Sequence, residues 1–231
     1  MGMFGPNWRS TYEERIFLGD DGFIKYSRSD GNFWSFGFHS SNWLPAAPAN
    51  VSAVLTQNTT SWILTFKNGE QRLFDLTSGM LTSIIDRNGN TTALARDGLN
   101  RLVTVTDPAS RHLNFTYTGS GSYLVAGVTS DVGLALTYSY DGNGRLSQVI
   151  KPDQSTLNFE YNDTDPYSIP TEASPYITAV KDSAGKILEA HTYDCVGRGT
   201  SSSRANGVEA VTVTYPTTSY LGKCVDGFAT H

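Results

Sequence analysis

The stretch of sequence that decides the fold is YDGNGRLSQVIKPDQSTLNFEY, residues 140–161. It contains two turn sequences, Asp-Gly-Asn-Gly and Lys-Pro-Asp-Gln, and it starts and ends on a tyrosine. Asp-Gly and Asn-Gly steps supply the positive φ angles that tight hairpin turns require. Leu157, Phe159 and Tyr161 alternate with polar residues, as on a strand with one apolar face. The segment therefore predicts a β-hairpin that is one unit of a repeat.

Turn-forming sequences recur through the middle of the chain at intervals of about ten residues. Short alternating runs, rather than helical periods, lie between these turns, which predicts an antiparallel meander. The predicted turns lie at Asn68-Gly69, Ser78-Gly79, Asn88-Gly89, Asp97-Gly98, Asp107-Pro108, Gly119-Ser120-Gly121, Asp131-Val132-Gly133, Asp141-Gly142 and Pro152-Asp153.

The full period of the repeat is two strands. Tyr117, Tyr140 and Tyr161 lie 23 and 21 residues apart, and Tyr193 and Tyr215 lie 22 apart. The longer gap before Tyr193 contains DTDPYSIPTEASPY, and its three prolines are incompatible with central strands. Because repeat arrays place insertions in loops, we predict an insertion loop at about residues 162–176.

The chain divides by composition into two regions. Residues 1–66 hold all four tryptophans and predict a Trp-rich β leader, whereas residues 67–231 predict the repeat array. The stretch LPAAPANVSA, residues 44–53, is predicted to be a linker or turn. We expect twelve to fifteen strands, more than a third of residues in strands, and almost no helix.

Charge and cysteine content exclude several classes of protein. The 231 residues carry a net charge of -5, so there is no basic footprint for nucleic acid. No apolar run is long enough for a spanning helix, and no signal peptide precedes Phe4. The two cysteines, Cys195 and Cys224, are too few for a structural zinc site; idle thiols are favoured over one disulfide.

The repeated Tyr-Asp…Gly-Arg pattern resembles the YD repeat of the Rhs family. YDGNGRLSQV (140–149) and TYDCVGR (192–198) match it closely, and FDLTSGMLTSIIDRNGN (74–90) matches a degenerate unit. FGPNWRSTYE (4–13) resembles the segment that opens the Rhs core, with Asn7 where a glycine is usual. The resemblance implies an all-β fold, in which an antiparallel β-hairpin array forms a curved open sheet that is part of a hollow Rhs/YD-repeat shell.

The same resemblance implies a function. Such shells enclose the toxic carboxy-terminal region of bacterial polymorphic toxins, so we expect a non-catalytic shell segment of an exported or cell-surface protein. The implied partners are further YD repeats and the enclosed toxin domain of the same protein, together with secretion-apparatus proteins. We expect the sequence to be truncated at both ends, and we expect the fragment alone to self-associate through its unpaired edges.

The motif residues are predicted to be structural. Tyrosines can stack along the array, aspartates can accept hydrogen bonds from turn amides, and arginines can pair with an aspartate or lie over a ring. Because the same set recurs in several units, structure is favoured over catalysis. The predicted motif residues are Tyr140, Asp141, Gly144, Arg145, Tyr161, Tyr193, Asp194, Gly197 and Arg198.

No motif for catalysis, a cofactor or a metal is found. His39, His112 and His191 are scattered, and we predict that they do not converge with Cys195 on one pocket. Asp86 begins a stretch that resembles a calcium loop, but that stretch lacks the glycine and the distal glutamate of such a loop.

Two alternatives to the shell segment stay open. One is a cell-surface carbohydrate-binding or adhesion module, in which Trp8, Trp34 and Trp43 would be stacking platforms for the ligand. The other is an outer-membrane barrel, which ten-residue alternating strands also fit. The recurrence of aromatic residues at one place in each repeat, rather than in two girdles, favours the shell over the barrel.

Overall fold

The computed structural model describes residues 2–48, 50–161, 176–194, 197–205 and 207–215. The fold is all-β, as predicted, and helix in this described part is limited to a 3-10 turn at Thr11–Glu13. The chain forms two compact units, Met1–Ala135 and Leu136–His231. Strands account for 105 residues, which confirms the prediction of more than a third.

The first unit is an antiparallel meander in which each strand pairs with its neighbour in sequence. Alternation between polar and apolar residues gives each strand one face for the core. Its strands are β1 (Arg15–Leu18), β2 (Ile24–Ser27), β3 (Phe33–His39), β4 (Asn42–Ala47), β5 (Ala53–Gln57), β6 (Ser61–Phe66), β7 (Gln71–Asp75), β8 (Leu81–Ile85), β9 (Thr91–Arg96), β10 (Leu102–Thr106), β11 (His112–Tyr117) and β12 (Val125–Ser130).

The core of the first unit is a continuous row of apolar side chains on one face of these strands. Phe36, Leu55, Leu64, Phe74 and Leu81 are fully buried and come from five different strands. Cross-strand pairs such as Leu55 with Leu64 place these residues on the same face. Burial of this face is therefore the main apolar contribution to the stability of the unit.

The segment before β1 packs against this meander. Ser10 and Glu13 form a capping box around the 3-10 turn. The Met3 carbonyl oxygen accepts a hydrogen bond from the Val125 N–H at 2.9 Å. Further along, the Ile16 N–H donates to the Gly79 carbonyl oxygen at 2.8 Å, so β1 lies beside the turn between β7 and β8.

The second unit continues the same pattern with antiparallel hairpins. Every residue of its last strand is exposed. The predicted insertion loop lies outside the described residues, apart from Tyr176. The strands are β13 (Ala135–Tyr140), which begins at the boundary between the units, β14 (Leu146–Ile150), β15 (Thr156–Tyr161), β16 (Ile177–Lys181), β17 (Ile187–Tyr193), β18 (Gly199–Arg204) and β19 (Val208–Thr212).

Two details of the sequence prediction were wrong. The described residues contain nineteen strands rather than twelve to fifteen. The predicted linker at 44–53 begins inside β4, where Pro45 pairs with Phe36 next to a shift in strand register. A strand tolerates a proline at such an irregularity because its missing N–H removes no regular ladder bond. The predicted leader boundary after residue 66 falls at the turn between β6 and β7 and stays a prediction.

Candidate functional site

The turn between β13 and β14 shows what the repeated motif does. The Asp141 N–H donates to the Arg145 carbonyl oxygen at 2.9 Å, and the Gly144 N–H donates to the Asp141 carbonyl oxygen at 3.0 Å. Gly144 has a φ of 73°. This is a three-residue hairpin loop in which the left-handed position falls on a glycine, the residue that adopts it without strain.

The carboxylate of Asp141 organises this loop. Its Oδ1 accepts hydrogen bonds from the Asn143 N–H at 2.9 Å and from the Arg145 N–H at 3.0 Å. Its Oδ2 accepts a charge-assisted hydrogen bond from Arg145 Nε at 2.7 Å. One carboxylate thus fixes both the turn backbone and the direction of the arginine side chain.

Arg145 connects the turn between β13 and β14 to the next strand, β15. The Arg145 guanidinium carbon lies 4.6 Å from the ring centroid of Tyr161 on β15, which is a cation–π geometry. The Tyr161 hydroxyl donates to the Leu146 carbonyl oxygen at 2.8 Å. We call this arrangement of aspartate, arginine and tyrosine a clamp, because it ties the turn between one pair of strands to the following strand.

A second clamp consists of Asp194, Arg198 and Tyr215. Arg198 Nε donates to Asp194 Oδ2 at 2.7 Å, and its guanidinium carbon lies 4.2 Å from the Tyr215 ring centroid. The Tyr215 hydroxyl donates to the Gly199 carbonyl oxygen at 3.0 Å. The same three residue types therefore meet in the same geometry two repeats further along the chain, at the turn between β17 and β18.

A third clamp, of Asp97, Arg101 and Tyr117, lies in the first unit. Arg101 Nε donates to Asp97 Oδ2 at 2.8 Å, and the guanidinium carbon lies 4.5 Å from the Tyr117 ring centroid. The sequence placed Tyr117 in the repeat period and Asp97 in a turn, but the predicted motif residues did not include this set, in which Asn100 replaces the motif glycine. Asn100 has a φ of 62°, and asparagine tolerates this conformation, so a search that allows Asn at the glycine position would find the clamp.

One predicted motif tyrosine has a different partner. The Tyr193 hydroxyl donates to the Ile177 carbonyl oxygen at 2.8 Å, as in the clamps. Its ring, however, stacks on Tyr176 with centroids 4.9 Å apart. Tyr176 thus occupies the place that an arginine takes in the clamps. The predicted stacking of Tyr193 on the motif tyrosine one repeat along stays a prediction.

The turn at Asp107, at the opposite end of the strands, has the carboxylate but not the ring. Arg111 Nε donates to Asp107 Oδ2 at 2.6 Å, yet the Arg111 side chain is 76 % exposed and no ring of the described residues faces it. In the next clamp the Arg145 side chain is 6 % exposed. The aspartate loop thus occurs at both ends of the strands, although Ser130 and Lys151 take the place of the aspartate in two further loops. Among the described residues, the clamps lie at one end of the strands.

The clamp aspartates are held in their ionised form. The hydrogen bond from the Arg101 side chain is the largest cause that lowers the pKa of Asp97. At Asp141 burial alone would raise the pKa, but hydrogen bonds from the backbone and side chain of Arg145 hold the pKa below its usual value. Burial raises the pKa of the Tyr117 hydroxyl to about 12, so this group stays a donor. The clamp is thus a charged pair over a neutral ring at neutral pH.

A cavity of about 700 Å³ lies between the amino-terminal segment and strands β9–β11 of the first unit. The segment reaches the sheet through Arg96, whose guanidinium donates to the Tyr12 carbonyl oxygen at 3.0 Å. Trp8, one of the predicted stacking tryptophans, lines this cavity together with Tyr12. No local sequence pattern predicts this cavity, since its walls come from segments far apart in the chain.

The other two predicted stacking tryptophans lie in aromatic clusters of the first unit. The Trp34 ring packs edge-on against Tyr26 and Phe66, with centroids 5.6 and 5.8 Å away. The Trp43 ring packs against Phe38 and Trp62. These contacts occupy part of both rings, so packing within the sheet accounts for them; their predicted role in ligand stacking stays untested.

The histidines lie on separate strands, β3, β11 and β17. His112 Nδ1 lies 2.9 Å from Asp131 Oδ2, and His191 Nε2 lies 3.7 Å from a Glu189 oxygen. Within the described ranges, no group of three acidic, histidine or cysteine residues could hold a metal ion. Cys195 and Cys224 lie outside the described residues, so the prediction about Cys195 stays open. No helix of the described residues is long and apolar enough to cross a membrane.

Comparison with known families gives these hairpins a name. Residues 75–112 match the family model described as RHS Repeat. This segment is therefore similar to an RHS repeat. The matched residues include the Asp97–Arg101 part of a clamp and the related loop at Asp107. The predicted resemblance to Rhs and YD-repeat proteins is therefore confirmed.

Solved structures with similar folds are much longer than this chain. A crystal structure of TcdB2-TccC3-Cdc42 matches 82 % of this chain, at 13 % identity and a TM-score of 0.42. One of TcdB2-TccC3 without hypervariable C-terminal region matches 83 %, at 12 % identity and a TM-score of 0.38. These matches cover 11 % and 10 % of the longer chains. No curated protein matches significantly.

Proposed function

We propose that this chain is a non-catalytic structural segment of a Rhs/YD-repeat shell. In the proposal, the shell belongs to an exported or cell-surface protein of bacterial competition, and it encloses and delivers a carboxy-terminal toxin. The chain's partners are further repeats of the same protein, the enclosed toxin domain, and proteins of a secretion apparatus.

The observation that carries the proposal is the use of the motif's polar groups. In the clamp of Asp141, Arg145 and Tyr161, both carboxylate oxygens bind the turn, and the tyrosine hydroxyl binds a strand carbonyl. The arginine lies between the two. A catalytic group needs a reactive atom that is accessible to a substrate, whereas these atoms are engaged in holding adjacent strands. Recurrence of the clamp in three turns supports the same structural role.

The test uses the complete reading frame that contains this sequence. The proposal predicts further repeats followed by a carboxy-terminal domain that resists added protease while the shell is intact. Arg145→Met should make that domain cleavable, whereas Arg111→Met, which alters a similar loop without a ring contact, should not. A carboxy-terminal domain that is cleaved equally fast in all three proteins contradicts enclosure.

Delivery has a separate test. Cells that produce the complete protein should intoxicate neighbours that lack immunity, and deletion of the carboxy-terminal domain should abolish killing while the shell still folds. Killing that persists after this deletion would place the toxic activity elsewhere and would overturn the assigned division of roles.

A further inference from the structure

The cavity beside the amino-terminal segment has the size of a small-ligand site. Its volume of about 700 Å³ falls within the range of roughly 300–1,000 Å³ that is typical of ligand pockets. All of its walls belong to the first unit. The shell role does not require such a space, because the clamps that join the strands lie in the turns.

The charged side chains around the cavity are mostly arginines, with one acidic residue, Glu13, whose pKa burial raises and the charges of Arg9 and Arg96 lower. Arg9 also donates to the Ser27 hydroxyl at 2.8 Å. Arg9, Arg15 and Arg96 line the cavity, and none of them forms an ion pair within the residues that the structure describes. Arg96 donates only to carbonyl oxygens, those of Leu81, Asn100 and Tyr12. Arg96 is half-buried, and burial is the largest cause that lowers the pKa of its guanidinium.

The acidic group at the cavity is already engaged. Glu13 Oε1 accepts a hydrogen bond from the Met3 N–H at 2.6 Å, and Oε2 accepts one from the Ser10 N–H at 2.8 Å. Arg101 also lines the cavity, but its charge is paired with Asp97. Glu13 offsets one of the three charges of Arg9, Arg15 and Arg96, so the lining keeps an excess of positive charge. A partly desolvated positive site favours an anion.

Aromatic rings lie on the same walls. Trp8, Tyr12 and Tyr123 line the cavity, and Tyr123 is 54 % exposed. Flat aromatic faces next to guanidinium groups suit a ligand that has both a ring and an oxyanion, since each part finds a matching surface.

We infer that this cavity binds a small ligand with a carboxylate or phosphate group on a sugar-sized ring. Arg9 and Arg15 face the oxyanion from the rim, and Arg96 contributes positive charge from the interior. Trp8 and the two tyrosines contact the ring. The inference is independent of toxin delivery, because it rests on the first unit alone.

Isothermal titration calorimetry on the full chain tests this with three probes: glucuronate, glucose 6-phosphate and glucose. We expect at least one of the two anionic sugars to bind about tenfold or more tightly than glucose, since charge-assisted hydrogen bonds contribute this much. The stronger of the two identifies the oxyanion as carboxylate or phosphate. Equal binding of glucose, or no binding of any probe, overturns the inference.

Variants at the rim of the cavity distinguish binding in the cavity from a general effect of the protein's charge. Arg9→Gln and Arg15→Gln alter exposed side chains and should each weaken binding of the anionic sugar by about fivefold to tenfold. Arg111→Gln removes the same charge from a turn outside the cavity and should leave binding unchanged. If the three variants weaken binding equally, or if the two rim variants have no effect, the cavity is not the binding site.

Discussion

The two units of this chain carry the same hairpins but bury very different amounts of apolar surface. Among the described residues, sixteen apolar side chains are buried in the first unit, and only Leu146 and Ala179 are buried in the second. Arg145 is as buried as many core residues, at 5 % exposure. In the second unit, where few apolar side chains are buried, the buried side chains of the clamp therefore contribute part of the packing that a core provides elsewhere.

The same clamp geometry occurs in the first unit, which buries many apolar side chains, and in the second unit, which buries few. In the first unit Arg101 and Tyr117 meet next to a covered sheet, and in the second unit Arg198 and Tyr215 meet beside strands that are mostly exposed. The distance from guanidinium to ring changes only from 4.5 to 4.2 Å. Local geometry in the turn, rather than surrounding burial, thus sets the clamp.

The largest effect is expected from the core of the first unit. Phe74→Ala removes a fully buried ring that contacts Tyr26, and it should lower the free energy of unfolding by about 3–5 kcal/mol. Urea unfolding followed by tryptophan fluorescence reports on this unit, because all four tryptophans lie in it. Phe33→Ala, at a ring that is 47 % exposed, is the control and should cost much less. Equal losses would contradict a core-dependent first unit.

A smaller effect is expected where β1 meets the turn between β7 and β8. A Cβ atom at Gly79 would lie 1.9 Å from the Ile16 carbonyl oxygen, whereas Gly89 has open space, and both have a positive φ. Gly89→Ala should cost about 1–2 kcal/mol for the left-handed backbone. Gly79→Ala should cost about 1–3 kcal/mol more, because the backbone of β1 must move. Similar losses in urea unfolding would show that β1 is not held at this turn.

The smallest effect is a difference in pH response between the turns and the amino-terminal segment. Asp97 has a pKa lowered chiefly by the Arg101 side chain. Its contribution to stability is present above its ordinary value of 3.8 and is lost as the pH falls through the folded value. Glu13 has a pKa raised by burial, so stability falls as the pH rises from 4.5 through its folded value.

Urea midpoints measured between about pH 2 and pH 7 would separate these two groups. Asp97→Asn should flatten the loss of stability on acidification, and Glu13→Gln should remove the decline above pH 4.5. If Asp97→Asn retains the full acid sensitivity of the parent protein, the turn carboxylates do not stabilise the fold through their charge.

Much of the array could be predicted from the sequence because its signals are local. Asp141 and Arg145 are four residues apart, and the glycine between them supplies the left-handed turn position. The contact of Arg145 with the Tyr161 ring was one of two roles that the sequence left open for the arginine. The structure shows that Arg145 fills both roles, since it pairs with the aspartate and lies over the ring.

The remaining features depend on contacts that have no local spacing. Arg96 and the carbonyl group of Tyr12 are 84 residues apart, and no repeat or turn sequence links them. The buried Glu14, which accepts a hydrogen bond from the Tyr26 hydroxyl and pairs with Arg72, is another example. Such contacts form only after the strands have assembled, and the residues alone therefore gave no reason to expect the cavity.

The most direct test of the account is a double-mutant cycle on Arg145 and Tyr161, with stability measured by urea unfolding and by hydrogen exchange of the β14 and β15 amides. Arg145→Met should lower stability by about 2 kcal/mol, whereas Arg111→Met should have no measurable effect. Tyr161→Leu combined with Arg145→Met should cost about 1 kcal/mol less than the sum of the single changes. Additive losses, with Arg145→Met no more harmful than Arg111→Met, would contradict the claim that the clamp holds the repeats together.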